Sequence, residues 1–167
     1  MGHLDEFSRW PAKRFIETGY GEGRTLAAAS QVYSECISIE LYEGRYFDAV
    51  KKFASQPHVR IFHGNSPDVL KHILDPEIST VFWLDAHYVP ADAIIVNGHG
   101  LCPILEELTL IKNCAWKEKP VILIDDWSVF RQHDQFGWPR FEELDAIIGA
   151  KHQRLPELPG CDIFGYI

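Results

Sequence analysis

Arg14-Phe15-Ile16-Glu17-Thr18-Gly19-Tyr20-Gly21-Glu22-Gly23-Arg24 is the stretch that decides how the chain is read. Arg14-Phe15-Ile16 reads as a short strand. Three glycines at alternate positions follow it. Without a Cβ, the backbone at those positions can turn tightly and come close to a ligand. Arg24 to Ser34, rich in small residues (Leu26, Ala27, Ala28, Ala29), reads as a helix whose N-terminus faces the loop. A plain strand-to-helix turn that happens to be glycine-rich is the alternative reading.

The same alternation continues outward. Cys36-Ile37-Ser38-Ile39 is a second strand, and Tyr46, Ala49, Val50 and Phe53 mark one face of the next helix. Val59-Arg60-Ile61-Phe62 is a third strand, followed from Pro67 by a helix with Val69, Leu70, Ile73 and Leu74 inward. Val81-Phe82-Trp83-Leu84 is a fourth. After an irregular stretch from Ala86 to Cys102, Pro103 opens a helix as an N1 proline, with Ile104, Leu105, Leu108 and Ile111 inward. Val121-Ile122-Leu123-Ile124 is wholly apolar and predicts a strand buried on both faces. Pro139 opens a helix carrying Phe141, Leu144, Ile147 and Ile148. The tail from His152 to Ile167, with Pro156, Pro159 and Gly160, reads as two short strands around a turn. β-α five times over, then a hairpin, is the pattern of a doubly wound α/β sheet with helices on both faces. One domain over residues 1–167 is expected.

The 167 residues carry 16 Lys+Arg against 24 Asp+Glu, a formal charge of −8 that argues against nucleic-acid or anionic-membrane partners. A hydrophobic share of 46% with 24% charged residues is that of a globular chain, and disorder as the main state is excluded. No apolar stretch reaches the ~18 residues a membrane helix needs. The four cysteines, Cys36, Cys102, Cys114 and Cys161, form no C-x-x-C pair and read as buried thiols in a reducing compartment. With no apolar run in Met1 to Trp10, the expected location is the cytoplasm.

Open parallel sheets bind ligands at the carboxyl ends of their strands. There the glycines run G-x-G-x-G, not the G-x-G-x-x-G of dinucleotide sites, and an acid stands two residues before the first. Glu17, Gly19, Gly21 and Gly23 match position by position motif I, E/D-x-G-x-G-x-G, and the chain resembles the class I S-adenosylmethionine-dependent methyltransferases. The resemblance implies a Rossmann-like, mostly parallel seven-stranded sheet with an antiparallel last strand. It implies that the loop wraps the amino-acid part of S-adenosylmethionine, with Glu17 helping to hold the ammonium group. Glu40, at the end of the second strand, is placed to accept hydrogen bonds from the ribose hydroxyls. The family usually has an Asp after the third strand for the adenine amino group. This chain offers Asn65, with Ser66 or Asp68 beside it, and helix N-capping explains those residues equally well.

Asp85 follows the fourth strand, and Asp125 and Asp126 follow the fifth. Oxygen ligands of this kind suit Mg²⁺ or Ca²⁺. The arrangement is similar to the metal-dependent O-methyltransferases, in which such acids hold Mg²⁺ beside the acceptor hydroxyl and lower its pKa. Asp85 is thus expected to serve cofactor, metal and catalysis, with Asp125 and Asp126 as metal ligands. The alternative has Asp85 touching cofactor alone while Asp125 and Asp126 cap loops. His87 is the candidate general base, or a structural histidine. Ile94-Ile95-Val96 and Asn97-Gly98-His99-Gly100 read as a substrate lid or as the subunit contact of a homodimer. His87, His99 and Cys102 form a weaker, transition-metal option. Trp127, Phe130, Phe136 and Trp138 either line an acceptor pocket or pack under a loop. The function expected is methyl transfer to an oxygen of a small-molecule acceptor. The alternatives are a non-catalytic cofactor-binding or assembly module and an NAD-dependent oxidoreductase, which the glycine spacing disfavours.

Overall fold

The computed structural model of the chain describes residues 7–87, 102–131, 138–149, 151–155 and 162–167. Its strands are β1 (Arg14–Thr18), β2 (Glu35–Glu40), β3 (Val59–His63), β4 (Thr80–Leu84), β5 (Val121–Ile124) and β6 (Phe164–Tyr166). They form one sheet in the order β3-β2-β1-β4-β5-β6, parallel except for β6. The helices are α1 (Arg24–Ala29), α2 (Glu43–Lys52), α3 (Ser66–Ile73), α4 (Ile104–Asn113), α5 (Trp127–Arg131) and α6 (Phe141–Ile148). Among the described residues, none is long and apolar enough to cross a membrane.

Successive strand side chains point to opposite faces, and the sheet uses this to build two cores. Phe15, Cys36, Val81, Trp83 and Leu123 pack on one face with Leu26 and Ala29 of α1 and with Ala49 of α2. Ile16, Ile37, Phe82, Leu84 and Ile122 pack on the other with Leu70, Leu108, Ile111 and Leu144 of α3, α4 and α6. Helices on both faces are the doubly wound arrangement that the alternation predicts. The chain runs outward from β1 to β3, then returns across the sheet to β4. The switch between β1 and β4 opens the cleft where such sheets take ligands.

Several elements differ from expectation. Among the described residues, the place of the expected seventh strand holds a single bridge, Arg154 to Tyr166, flanked by Leu155 N–H donating to Gly165 O at 2.8 Å. Helix α1 stops at Ala29, where the Ser30 hydroxyl bonds back to Ala27 O at 3.0 Å, a local competitor to the helix. Val50 is exposed, so only Ala49 and Phe53 of the predicted α2 face reach the core. Helix α5 was not expected at all. Its N-terminus is capped by Asp162, which takes the Ser128 N–H at 2.6 Å from 34 residues away, a partner local periodicity does not reveal. The lid or subunit segment with Ile94 to Gly100, Phe136, His99 and Cys161 lie outside the described residues.

Candidate functional site

Glu17 and Thr18 end β1, and the glycine loop begins at once. Gly19, Gly21 and Gly23 have φ of 80°, 55° and 68°, the left-handed region that residues with a Cβ disfavour. Gly19 also lies against the end of β4: a Cβ there would sit 2.4 Å from Asp85 O. The loop is tied down on three sides. Gly19 N–H donates to Ile39 O at 2.9 Å, Tyr20 N–H to the Glu40 carboxylate at 3.2 Å, and Lys52 Nζ to Glu22 O at 3.1 Å. A second amide, that of Tyr42, reaches Glu40 at 2.7 Å. Glu40 is therefore a buried clamp at the carboxyl end of β2, holding the loop from below.

Glu17 is 1% exposed. Its carboxyl group accepts the hydroxyl of Ser38, its register partner on β2. Burial pushes its pKa well up. The Ser38 bond opposes this, and the charges of Asp85 and Glu40 add to it. Glu17 is thus turned into the sheet and shapes the start of the loop. Asn65 Nδ2 donates to Asp68 at 3.2 Å, an exposed pair on the first turn of α3. Ser66 faces the other way, its hydroxyl donating to Glu107 of α4.

Asp85, His87 and Asp126 converge. His87 Nε2 lies 2.9 Å from Asp85 Oδ1 and 2.8 Å from Asp126 Oδ2, and the three ligand atoms fall within 4.8 Å of one another. Burial pulls the His87 pKa down, but bonds to Asp126 and Asp85 and their charges win, raising it to about 10. An imidazolium cannot accept a proton, so His87 acts as a base only after its charge is displaced. Asp126 holds φ 56°, the left-handed region that Asp enters more readily than most residues. That turn swings its carboxylate toward His87 and lowers its pKa through the bond. Asp125 is not part of the cluster. It accepts the Asp126 N–H at 2.9 Å, and burial, then Asp85, raise its pKa to about 7. The Trp138 ring lies 4.4 Å from that of His87 and packs on Phe130 at 5.1 Å. These aromatics form a buried wall beside the cluster.

One imidazole N–H cannot serve two carboxylates equally well. An octahedral ion with ligands at about 2.1 Å sets neighbouring donor atoms about 3 Å apart, close to the two distances from His87 to the carboxylates. The donor set fits a divalent cation, with Asp85, Asp126 and His87 as the residues to hold it.

Glu107 was missed by sequence reasoning. It is fully buried, and burial pushes its pKa up to about 7 against the Ser66 and Thr18 hydroxyls. The signal was present: it lies three residues after Ile104 and four before Ile111, on the face that α4 turns inward.

No protein-family model matches the chain, and no curated protein matches it. Solved structures do. A Staphylococcus aureus protein provisionally named a caffeoyl-CoA O-methyltransferase superposes with a TM-score of 0.65 at 13% identity, covering 98% of this chain and 79% of its own. A Podospora anserina methyltransferase solved with S-adenosylhomocysteine gives 0.63 at 17%, covering 98% and 73%. A TehB-like S-adenosylmethionine-dependent methyltransferase from Corynebacterium glutamicum gives 0.58 at 14%, covering 98% and 83%. Strand order, glycine loop and these superpositions agree: the chain has the fold of the class I S-adenosylmethionine-dependent methyltransferases.

Proposed function

We propose that the chain binds S-adenosylmethionine at the carboxyl edge of β1, β2 and β4 and passes its methyl group to an oxygen of a small-molecule acceptor, aided by a divalent cation. The observation that carries this reading is the β1–α1 loop. Its left-handed glycines sit at the topological switch point, closed against Asp85 on one side and clamped by Glu40 on the other. Two solved neighbours carry provisional O-methyltransferase names, and a third, named a methyltransferase, holds the demethylated cofactor.

The bound cofactor supplies an electrophilic methyl group on a sulfonium. The chain's part is to hold donor and acceptor in line, which by itself can supply much of a rate enhancement. Gly19 and Gly21 let the loop approach the cofactor, and Glu40 offers its remaining lone pairs to ribose hydroxyls. Asp85, Asp126 and His87 would hold the cation that orients the acceptor oxygen and lowers its pKa. The Trp138 and Phe130 wall would exclude water from that side.

Calorimetry with S-adenosylmethionine, S-adenosylhomocysteine and NAD tests the cofactor class. The first two should bind at least about tenfold more tightly than the third; tight NAD binding with no response to S-adenosylmethionine refutes the reading. Methyl transfer to a panel of hydroxylated acceptors, with and without chelator, tests the reaction. Binding without turnover on any acceptor would leave a cofactor-binding module in place of an enzyme.

A further inference from the structure

Helix α4 turns Ile104, Leu108 and Ile111 onto the sheet, and Glu107 shares that inward face with no exposure at all. An apolar side chain there would be easy to bury, whereas a carboxyl group is penalised. A molecule that keeps an acid in such a place uses its hydrogen bonds rather than its packing. The hydrogen bonds point toward the cleft. Oε1 accepts the hydroxyl of Ser66, the first residue of α3. The Thr18 hydroxyl acts on the same carboxyl group, and Thr18 is the last residue of β1, directly before Gly19. Oε2 and Thr18 Oγ1 are both buried, and neither has a hydrogen-bond partner. Thr18 O also accepts the Asp85 N–H at 3.0 Å, which passes any displacement of Thr18 to the opposite wall of the cleft.

We propose that Glu107 is a positioning residue for cofactor binding: its carboxyl group, spanning Ser66 at the start of α3 and Thr18 at the end of β1, sets the spacing between the two loops that flank the cofactor. This rests on the reading that S-adenosylmethionine occupies that cleft. The charges facing Glu107 are those of Asp85 and Glu106, both acidic, so a neutral side chain is favoured by its surroundings. Glutamine meets that condition: its carbonyl accepts from Ser66, and its amide N–H can donate to Thr18 Oγ1. Alanine satisfies neither hydroxyl.

The test is the dissociation constant of S-adenosylhomocysteine, measured by calorimetry well below each variant's melting temperature. Glu107→Ala and Ser66→Ala should each weaken binding about tenfold, and the double variant should be no weaker than Glu107→Ala alone. Glu107→Gln should restore binding to within about twofold of wild type. A merely structural Glu107 would lower the melting temperature of the alanine variant and leave its affinity unchanged, which overturns the proposal. So does a Glu107→Gln variant as weak as Glu107→Ala. Should Glu107→Ala fail to fold, Ser66→Ala and the near-isosteric Thr18→Val carry the test, and unchanged affinity in both refutes it. Wild type that binds no S-adenosylhomocysteine brings down the proposed function and this inference with it, whereas wild-type binding with unaffected variants removes this inference alone.

Discussion

Gly19→Ala and Gly21→Ala should fail in different ways, and the difference is set by what lies around each Cβ. Both positions are left-handed, at φ 80° and 55°, so each alanine costs about 1–2 kcal/mol in conformation alone. At Gly19 the new Cβ would meet Asp85 O at 2.4 Å and Asp85 C at 2.8 Å. These are main-chain atoms at the end of β4, and they cannot rotate away. Relief requires the ends of β1 and β4 to part, straining the bonds Asp85 N–H to Thr18 O at 3.0 Å and Gly19 N–H to Ile39 O at 2.9 Å. Losing one buried hydrogen bond costs about 1–3 kcal/mol. Gly19→Ala should therefore be destabilised by about 2–5 kcal/mol. At Gly21 a Cβ meets nothing within 4 Å, so its loss should stay near 1–2 kcal/mol. That empty space is where the proposed cofactor approaches, so Gly21→Ala should lose affinity for S-adenosylhomocysteine while remaining folded. Urea unfolding gives the stabilities and calorimetry the affinities. Equal stabilities would refute the packing argument, and wild-type affinity in Gly21→Ala would refute the placement of the cofactor.

Glu40→Ala removes the acceptor for the Tyr20 and Tyr42 amides as well as the proposed ribose ligand. Bonds to a charged group contribute about 1.5–3 kcal/mol, so cofactor affinity should fall roughly ten- to a hundredfold, with Glu40→Gln milder; calorimetry on folded protein checks both. Asp126→Asn keeps a side chain suited to the left-handed backbone but removes one carboxylate from His87, so the protein should stay folded while Mn²⁺ affinity, read by calorimetry, drops at least about tenfold. His152 is buried with both ring nitrogens unpartnered, and burial, then Lys119, lowers its pKa below 6.5. The folded state thus favours the neutral ring and the unfolded state takes up the proton first. Its contribution to stability is complete above about pH 6.5 and is lost as pH falls through the depressed value. His152→Leu should flatten this acid limb in urea unfolding measured from pH 7 to 5, and an unchanged slope would count against it.

How much was legible depended on how local each cause is. The strands β1, β2, β4 and β5 were visible because buried parallel strands are apolar runs, and the glycine loop because only glycine suits its backbone. What was hidden depends on residues far apart in the chain. Asp162 caps α5 across 34 residues, and no window over Trp127–Arg131 contains it. Glu107 stood on the inward face of its helix in the sequence, but the hydroxyls its carboxyl group meets, those of Ser66 and Thr18, belong to α3 and β1 and lie far off in the chain. In the site, the acids after β4 and β5 were anticipated, yet which of the two after β5 meets Asp85 turned on a φ of 56° at Asp126. The doublet Asp125-Asp126 does not say which residue takes the left-handed turn. His87 was read as a general base or a structural histidine; its place between Asp85 and Asp126, which raises its pKa, could not be read from the sequence.

The two ends of the sheet treat buried charge in opposite ways, and this bears on the cofactor independently of glycine spacing. At the amino edge, burial would raise the pKa of Glu35, but the Arg14 guanidinium at 2.8 Å, together with that of Arg60, holds it below the ordinary value. At the carboxyl edge the charges acting on Glu17 are those of Asp85 and Glu40. On Glu107 they are Asp85 and Glu106, and on Asp125 they are Asp85, Asp126 and Asp162. All are acidic, and all three pKa values are raised after burial has already raised them. Gathering acids that repel one another is a cost to folding that a bound cation removes. S-adenosylmethionine brings a sulfonium and an ammonium against one carboxylate, and a divalent ion adds two further positive charges. A nicotinamide dinucleotide brings two phosphates, and their negative charge would deepen the repulsion. The acids of the cleft thus suit the proposed S-adenosylmethionine better than a dinucleotide, through residues other than the glycines of the loop.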